Sequence, residues 1–169
     1  MEPEKLYVEM AHSAESIREL VADIGRDEAR IKPSADAWSV LEVVCHLYDE
    51  EREDFRQRLD IILHRPTEPL PPIDTEGWVT SRHYNERDLP EMLEKFLGER
   101  RQSLAWLRGL TSPNWEAEYT TSFRVMKAGD MLASWTAHDN LAVRQLVELR
   151  RQRVLRLTAP YNVRYAGEW

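Results

Sequence analysis

Apolar residues recur at three- and four-residue steps in four long segments of the chain, the spacing of helices that each bury one face. The first segment runs from about Glu4 to about Gly25. The last runs from about Gly129 to Thr158, where Pro160 prevents continuation. No alternating apolar and polar run is long enough to indicate a sheet. The pattern therefore predicts an all-α fold.

The second and third segments carry the clearest helix starts. Ser39 precedes an apolar-periodic run and Glu42 follows three residues later, so that each side chain can satisfy the other's free backbone N–H. This helix is predicted to run to His64, after which prolines interrupt it. The third helix starts at a similar acidic cap, Asp88, and is predicted to end near Gly109.

A proline-rich connection of more than twenty residues separates the second and third segments. Connections of that length usually cross over another element or carry function. A single-domain four-helix bundle spanning 1–169, with this long crossover loop between helices 2 and 3, is the simplest arrangement that buries all four apolar faces. The tail from Tyr161 to Trp169 contains three aromatic residues and is expected to pack back on the bundle. The side chains predicted to be buried include Trp38, Phe55, Phe96, Trp135 and Leu146.

Composition narrows the classes of function. The net charge is -7 and the basic residues are dispersed among acidic ones, so no basic field is available to attract nucleic acid. No stretch approaches the ~18 apolar residues of a membrane span. Cys45 is the only cysteine and cannot form an internal disulfide. The sequence therefore predicts a cytoplasmic protein without a membrane or nucleic-acid partner.

Two histidines on different predicted helices are the strongest candidates for chemistry. His46 lies on the second helix and His138 on the fourth, and facing helices of a bundle commonly hold metal ligands. Helical ligands usually come as pairs three or four residues apart. Four residues after His46 stands Glu50, and four residues after His138 stands Ala142, which cannot ligate. His46, Glu50 and His138 are the only three-ligand set that these spacings offer.

Surface positions are the competing interpretation of the same residues. On a helical wheel His46 lies almost opposite the apolar stripe of its helix, where a solvated acidic face is expected. An exposed carboxylate is likewise the ordinary outcome for Glu50, whereas His138 flanks its stripe and is expected to be semi-buried. Cys45 is expected to be a small residue at the edge of the core, and His12 a surface histidine.

Several short motifs occur together in an order that resembles the DinB/YfiT-like superfamily, over nearly the whole chain. They are Trp38 to Leu47, Tyr84 to Glu86, Ala137 to Asp139, Arg144 to Leu146, and the closing Tyr165 to Trp169. The resemblance implies a four-helix bundle, often dimeric. It also implies a divalent metal held by one histidine on the second helix and by two residues, four apart, on the last.

Carried over by position, the resemblance places metal ligands at His46 and His138 and a third at Ala142, where this chain departs from the pattern. Zn or Ni is therefore expected to bind weakly or not at all, unless Glu50 substitutes. The function implied is a metal-dependent thiol transferase, of the bacillithiol or mycothiol type, with a weakened metal site. The alternatives are a small-molecule-binding bundle that has lost metal chemistry and a purely structural or oligomerising bundle. A homodimer is expected in each case, and the substrate is not readable from the sequence.

Overall fold

The computed structural model of the chain describes residues 1–121 and 124–169, and these are mainly helical. The helices are α1 (Pro3–Val21), α2 (Val40–Glu50), α3 (Arg56–His64), α4 (Gly77–Ser81), α5 (Leu89–Gly109) and α6 (Ala128–Thr158). A π-helical turn, Glu51–Phe55, joins α2 directly to α3, so these three pieces form one long rod. With α1, α5 and α6 the rod makes four long helical segments within the described residues. The predicted four-helix bundle is confirmed.

Packing follows the apolar stripes of the helices. The α1 helix lies against α6, and α2 lies against α5. Short 3₁₀ helices also occur at Glu28–Arg30, Tyr84–Glu86 and Arg164–Ala166. Over the described parts of the chain, no helix combines the length and the hydrophobicity needed to cross a membrane.

The predicted helix starts are present. The Ser39 hydroxyl accepts a hydrogen bond from the Glu42 backbone N–H at 3.2 Å, and the Glu42 carboxylate accepts one from the Ser39 N–H at 2.8 Å. The first helix ends at Val21, four residues short of the predicted Gly25. There the Ile24 N–H bonds to the Val21 carbonyl in a tighter turn. Ile24 still packs on the core from this turn, which explains why it fitted the helical stripe.

The long crossover between α3 and α5 is ordered against the bundle. Besides α4 it contains the 3₁₀ turn Tyr84–Glu86. The buried Tyr84 hydroxyl donates to Asp49 at 2.7 Å, and the Asn85 side-chain oxygen accepts from the Ser39 hydroxyl at 2.7 Å. These hydrogen bonds hold the crossover against α2, the helix that carries His46.

A small antiparallel hairpin precedes α6 and was not predicted. Strand β1 (Glu118–Thr120) pairs with β2 (Val125–Lys127). Each strand has three residues, too few to show the alternation by which a strand is recognised in sequence. The hairpin leads directly into the first turn of α6.

Two apolar clusters form the core, one around α2 and one around α3. Phe55, Phe96, Trp135 and Leu146 are buried as predicted. Trp38 is only half-buried, because it precedes the α2 cap and packs on the rim of the first cluster.

The C-terminal tail lies back along α6, as expected, and Val163 and Trp169 line a depression together with Leu20 of α1, but its aromatic side chains are not buried. Tyr161 is 82% exposed, Tyr165 is 106% exposed and Trp169 is 73% exposed. The last buried residue of α6 is Leu149, so the helix extends beyond the core before the tail begins. Trp169 lies near the Arg151 guanidinium, with 5.2 Å between the guanidinium carbon and the ring centroid, and its exposed ring borders Leu141 and Val147 of α6.

Candidate metal centre

His46 lies inside the protein, not on a solvated acidic face. It is 8% exposed, so the surface interpretation of this residue is wrong. The helical-wheel prediction holds for a helix with one buried face, whereas every residue of α2 except Tyr48 is buried. The ring of Trp38 covers His46 edge-on, with 4.7 Å between the ring centroids.

The surface interpretation of Glu50 is wrong as well. Glu50 is 6% exposed and is the last residue of α2 before the π-helical turn. His138, by contrast, is semi-buried as expected, with 23% of its side chain exposed. Its ring lies 5.3 Å from that of Phe55 and 5.5 Å from that of His46, measured between centroids.

The fold brings His46, Glu50 and His138 together, and we call these three residues the triad. Glu50 Oε2 lies 3.4 Å from His46 Nε2 and 3.1 Å from His138 Nε2. One potential ligand atom from each residue lies within 4.8 Å of the others. Ligand bonds of 2.0–2.2 Å in tetrahedral geometry separate neighbouring ligand atoms by about 3.4 Å. The observed spacing fits a metal ion with little adjustment.

Two polar atoms of the triad make no hydrogen bond inside the described structure. Glu50 Oε2 and His46 Nδ1 are both buried and accept or donate no hydrogen bond there. Leaving a buried polar atom without a partner costs about 1–3 kcal/mol, so native proteins rarely do so without a reason. A divalent cation between the three side chains would satisfy the carboxylate oxygen.

Burial and neighbouring charges shift the pKa values of all three triad residues. Burial lowers the pKa of His46 to about 4, and the neighbouring His138 acts in the same direction. Burial also lowers the pKa of His138, with a further contribution from the positive charge of Arg100. Burial raises the pKa of Glu50 to about 8, and the negative charge of Asp54 adds to this shift. At neutral pH both histidines are therefore neutral, the form that binds metals, and Glu50 must release a proton to ligate.

Ala142 occupies the position where the superfamily pattern places a third ligand. It is 5% exposed and packs within the first apolar cluster, one helical turn after His138. Its methyl group offers no donor atom. Glu50 instead supplies a carboxylate from the opposite helix, which is the substitution that the ligand spacing had left open.

Sequence reasoning missed a buried ionic network beside the triad, the Arg100 network. Arg100 of α5 donates to both carboxylate oxygens of Glu51, each at 2.8 Å, and to those of Asp139 at 2.6 and 2.8 Å. The indole N–H of Trp135 donates to Glu51 at 2.9 Å. The three charged residues are no more than 2% exposed. A sequence signal existed, because Arg100 stands between Leu97 and Leu104 on the apolar stripe of its helix.

Cys45 takes no part in this centre. It is fully buried, deeper than the core edge expected from the sequence, and its thiol donates to the Tyr84 carbonyl at 3.8 Å. Burial raises the pKa of Cys45 to about 12, so the thiolate is not available at neutral pH. The protein's own thiol is therefore unsuited to act as a nucleophile.

Comparison with known proteins places the chain in a family. The model of the DinB superfamily matches residues 9–146, and the chain belongs to this superfamily. The resemblance seen in the sequence motifs is thereby confirmed. A search of curated proteins gave no match.

A solved structure shares the fold. It is YfiT from Bacillus subtilis, described as a probable metal-dependent hydrolase with an unusual four-helix bundle topology. The TM-score is 0.78 at 18% identity, over 89% of this chain and 87% of that chain. At this identity the likeness establishes the architecture alone.

Proposed function

We propose that this protein is a metal-dependent hydrolase that holds one divalent ion with His46, Glu50 and His138. One observation carries the proposal: three side chains able to ligate a metal converge from two helices in a buried site, where Glu50 Oε2 makes no hydrogen bond within the described structure. Two histidines and one glutamate are a ligand set of catalytic zinc sites, which keep a further position open for water or substrate. Zinc is the first choice, and nickel, which imidazole also suits, is the second.

Each residue of the triad has a separate role in the proposed site. When bound, the ion supplies Lewis acidity toward a water or thiol at the open position. His46 and His138 contribute neutral donors, and Glu50 contributes the one negative charge of the set. The side chains of Trp38 and Phe55 flank the imidazoles and limit the access of bulk water. Exclusion of water strengthens electrostatic interactions within the site.

Hydrolysis is the principal reaction that we propose, and the description of YfiT supports this choice. In the overall reaction the oxygen of water bonds to the electrophilic carbon of an ester or amide. The bond from that carbon to its alcohol or amine group breaks, and a proton from water ends on the leaving group.

Transfer to a low-molecular-weight thiol is the second candidate, as the resemblance to the superfamily implies. A carbon–sulfur bond then forms, the bond to the leaving group breaks, and the thiol proton departs with that group. The pKa of Cys45 supports an external thiol, of the bacillithiol or mycothiol type, because the protein's own thiol is buried and protonated.

Both reactions are tested on protein stripped with a chelator and reloaded with Zn²⁺ or Ni²⁺. Hydrolysis of nitrophenyl esters and anilides is measured alone, and conjugation of a chlorodinitrobenzene is measured with added thiol. We expect metal-restored hydrolysis that is lost in Glu50→Gln and kept in Glu53→Gln, a matched carboxylate on the same rod that pairs with Arg82 instead. Turnover only with thiol would favour the transferase. Absence of both activities together with absence of metal binding would favour the non-catalytic bundle that has lost metal chemistry.

A further inference from the structure

A cleft of small-molecule size has walls that contact the triad. We call it the Phe55 cleft; it lies between the end of the π-helical turn, strand β2 and the first turns of α6, and has a volume of about 340 Å³. Its walls include Phe55, Met126 and Met131, and the rim carries Ile73 and Val125, which are 39% and 52% exposed. Small-molecule sites range from roughly 300 to 1,000 Å³ and are mostly apolar with a few polar groups.

The walls of this cleft are the neighbours of the triad. Phe55 contacts His138 on one side and stacks on Trp135 at 5.8 Å between centroids. Ser134, another wall residue, stands one helical turn before His138 on the same face of α6. Asp54 stands four residues after Glu50, close enough for its charge to affect the pKa of that residue. Two residues of the cleft wall, Phe55 and Asp54, therefore lie next to His138 and Glu50 of the triad.

The described residues lining the cleft include two arginines and two aspartates, of which Arg124 and Asp130 form no side-chain ion pair. Asp54 pairs with Arg58, whose guanidinium also donates to the Pro71 carbonyl at 2.7 Å. The Asp130 carboxylate accepts the Lys127 backbone N–H at 3.3 Å, at the start of α6. The Arg124 side chain is exposed and forms no ion pair with any residue that the structure describes, although its positive charge partly offsets the rise that burial causes in the pKa of the nearby Asp54. In a protein of net charge -7, an unpaired arginine beside exposed apolar side chains is suited to a ligand with a carboxylate.

A second depression lies on the other side of the triad, and its charge differs. It has a volume of about 570 Å³, is lined by Trp38 and carries the carboxylates of Asp36, Glu76 and Glu148. We call it the acidic groove. Its α6 residues begin at Gln145, about two turns beyond His138, and its charge would repel an anion. It is therefore the less suitable place for a carboxylate-bearing ligand.

We propose that the Phe55 cleft is the substrate cleft and that it takes a small carboxylate with an apolar body. The carboxylate pairs with Arg124 at the mouth, the apolar body lies along Phe55 and the two methionines, and the reacting end points toward His138 and Glu50. This inference rests on the proposed function for the role of the triad. Binding in the cleft, however, requires no metal, so the two can fail separately.

The test uses three probes of one shape, phenylpropionate, phenylpropionamide and phenylpropylamine, titrated into metal-free protein and followed by NMR. Phenylpropionate should bind most tightly and should shift the ring signals of His138 while leaving those of His12, exposed on α1, unchanged. Arg124→Gln should weaken phenylpropionate binding about fivefold to tenfold, as expected for the loss of one charge-assisted contact, and should leave phenylpropionamide binding unchanged. Arg101→Gln, the matched control on the exposed face of α5, should affect neither probe.

A second variant tests the position without altering charge. Ser134 is exposed, so Ser134→Trp is expected to fold and to fill the cleft, abolishing phenylpropionate binding. Equal affinity for all three probes, equal effects of Arg124→Gln and Arg101→Gln, or unimpaired binding in Ser134→Trp would overturn the proposal. Preferred binding of phenylpropylamine, with shifts at Trp38, would assign the ligand site to the acidic groove instead. Loss of metal binding in a separate zinc titration would remove the proposed function without affecting these results.

Discussion

Among single residues, Glu50 is expected to lower the stability of the folded protein unless its carboxylate binds a metal ion. Its carboxyl group is buried between two neutral imidazoles, and Oε2 has no hydrogen-bond partner within the described structure. Residues retained at such a cost commonly serve function more than stability. The cost should be measurable in metal-free protein as a dependence of stability on pH.

Glu50→Gln should stabilise the metal-free protein above pH 8. Burial raises the folded-state pKa of Glu50 to about 8, from 4.5. Between these values the folded state holds a proton that the unfolded state lacks, so the free energy of unfolding falls as pH rises toward 8. Glutamine cannot ionise, so the advantage of Glu50→Gln should grow over this range and level off above pH 8, after an increase of roughly 5 kcal/mol.

Urea denaturation at several pH values measures this difference. Glu53→Gln is the control, because Glu53 is partly exposed and already paired with Arg82. A difference between Glu50→Gln and wild type that is independent of pH would show that Glu50 is ionised in the folded protein throughout the range.

Ala142 offers a second test at this scale. If Glu50 fills the role that Ala142 leaves vacant, Glu50→Ala should abolish zinc binding, and adding Ala142→His should restore it. The larger side chain in a packed position should also cost about 1–3 kcal/mol of stability without metal. Isothermal titration with zinc checks the rescue. No recovery in the double variant would mean that this face of α6 does not point into the site.

At the scale of elements, the π-helical turn and the Arg100 network position the triad. The network is anchored by Glu51, the residue after Glu50, and by Asp139, the residue after His138. Its guanidinium also donates to the Met10 carbonyl of α1 at 2.8 Å. The network thus connects the segments that carry Glu50 and His138 through α5. The π-helical turn directly follows Glu50, and such turns within helices often occur at functional sites.

Arg100→Met should destabilise the protein by about 3–5 kcal/mol, because it leaves two buried carboxylates without their cation. Chemical denaturation measures this loss. Replacing the whole network with neutral groups, by adding Glu51→Gln and Asp139→Asn, should recover part of it. A change below about 1 kcal/mol in Arg100→Met would show that the network contributes little to folding.

At the scale of the whole molecule, helix faces and caps could be predicted from sequence because they depend on local spacing. Ser39 and its capping box are where the sequence places them. The burial of His46 and Glu50 could not be predicted in this way, since it depends on neighbours distant in the chain that surround α2. The π-helical turn has no periodic signature of its own. The convergence of His46 with His138 was suggested by the resemblance and could not be obtained from spacing alone.

The homodimer expected from the sequence stays a prediction. In the single chain, apolar side chains at the end of α6 and in the tail remain exposed, among them Leu157 at 72% and Trp169 at 73%. A second copy would cover such surface, and a two-fold interface would be self-complementary. Equilibrium sedimentation at micromolar concentration should give the mass of a dimer. A monomer mass at every concentration tested would contradict this expectation.

The most direct test of the account is the zinc content of the protein after loading and dialysis. The sequence alone predicts weak or absent binding because of Ala142, whereas we propose that the buried Glu50 completes a three-ligand site. We expect one zinc ion per chain in the wild type and in the control variants Glu53→Gln and His64→Gln. Zinc should be lost in Glu50→Gln and in His138→Gln. A wild type without zinc, or a Glu50→Gln variant that retains it, would contradict the proposed metal centre.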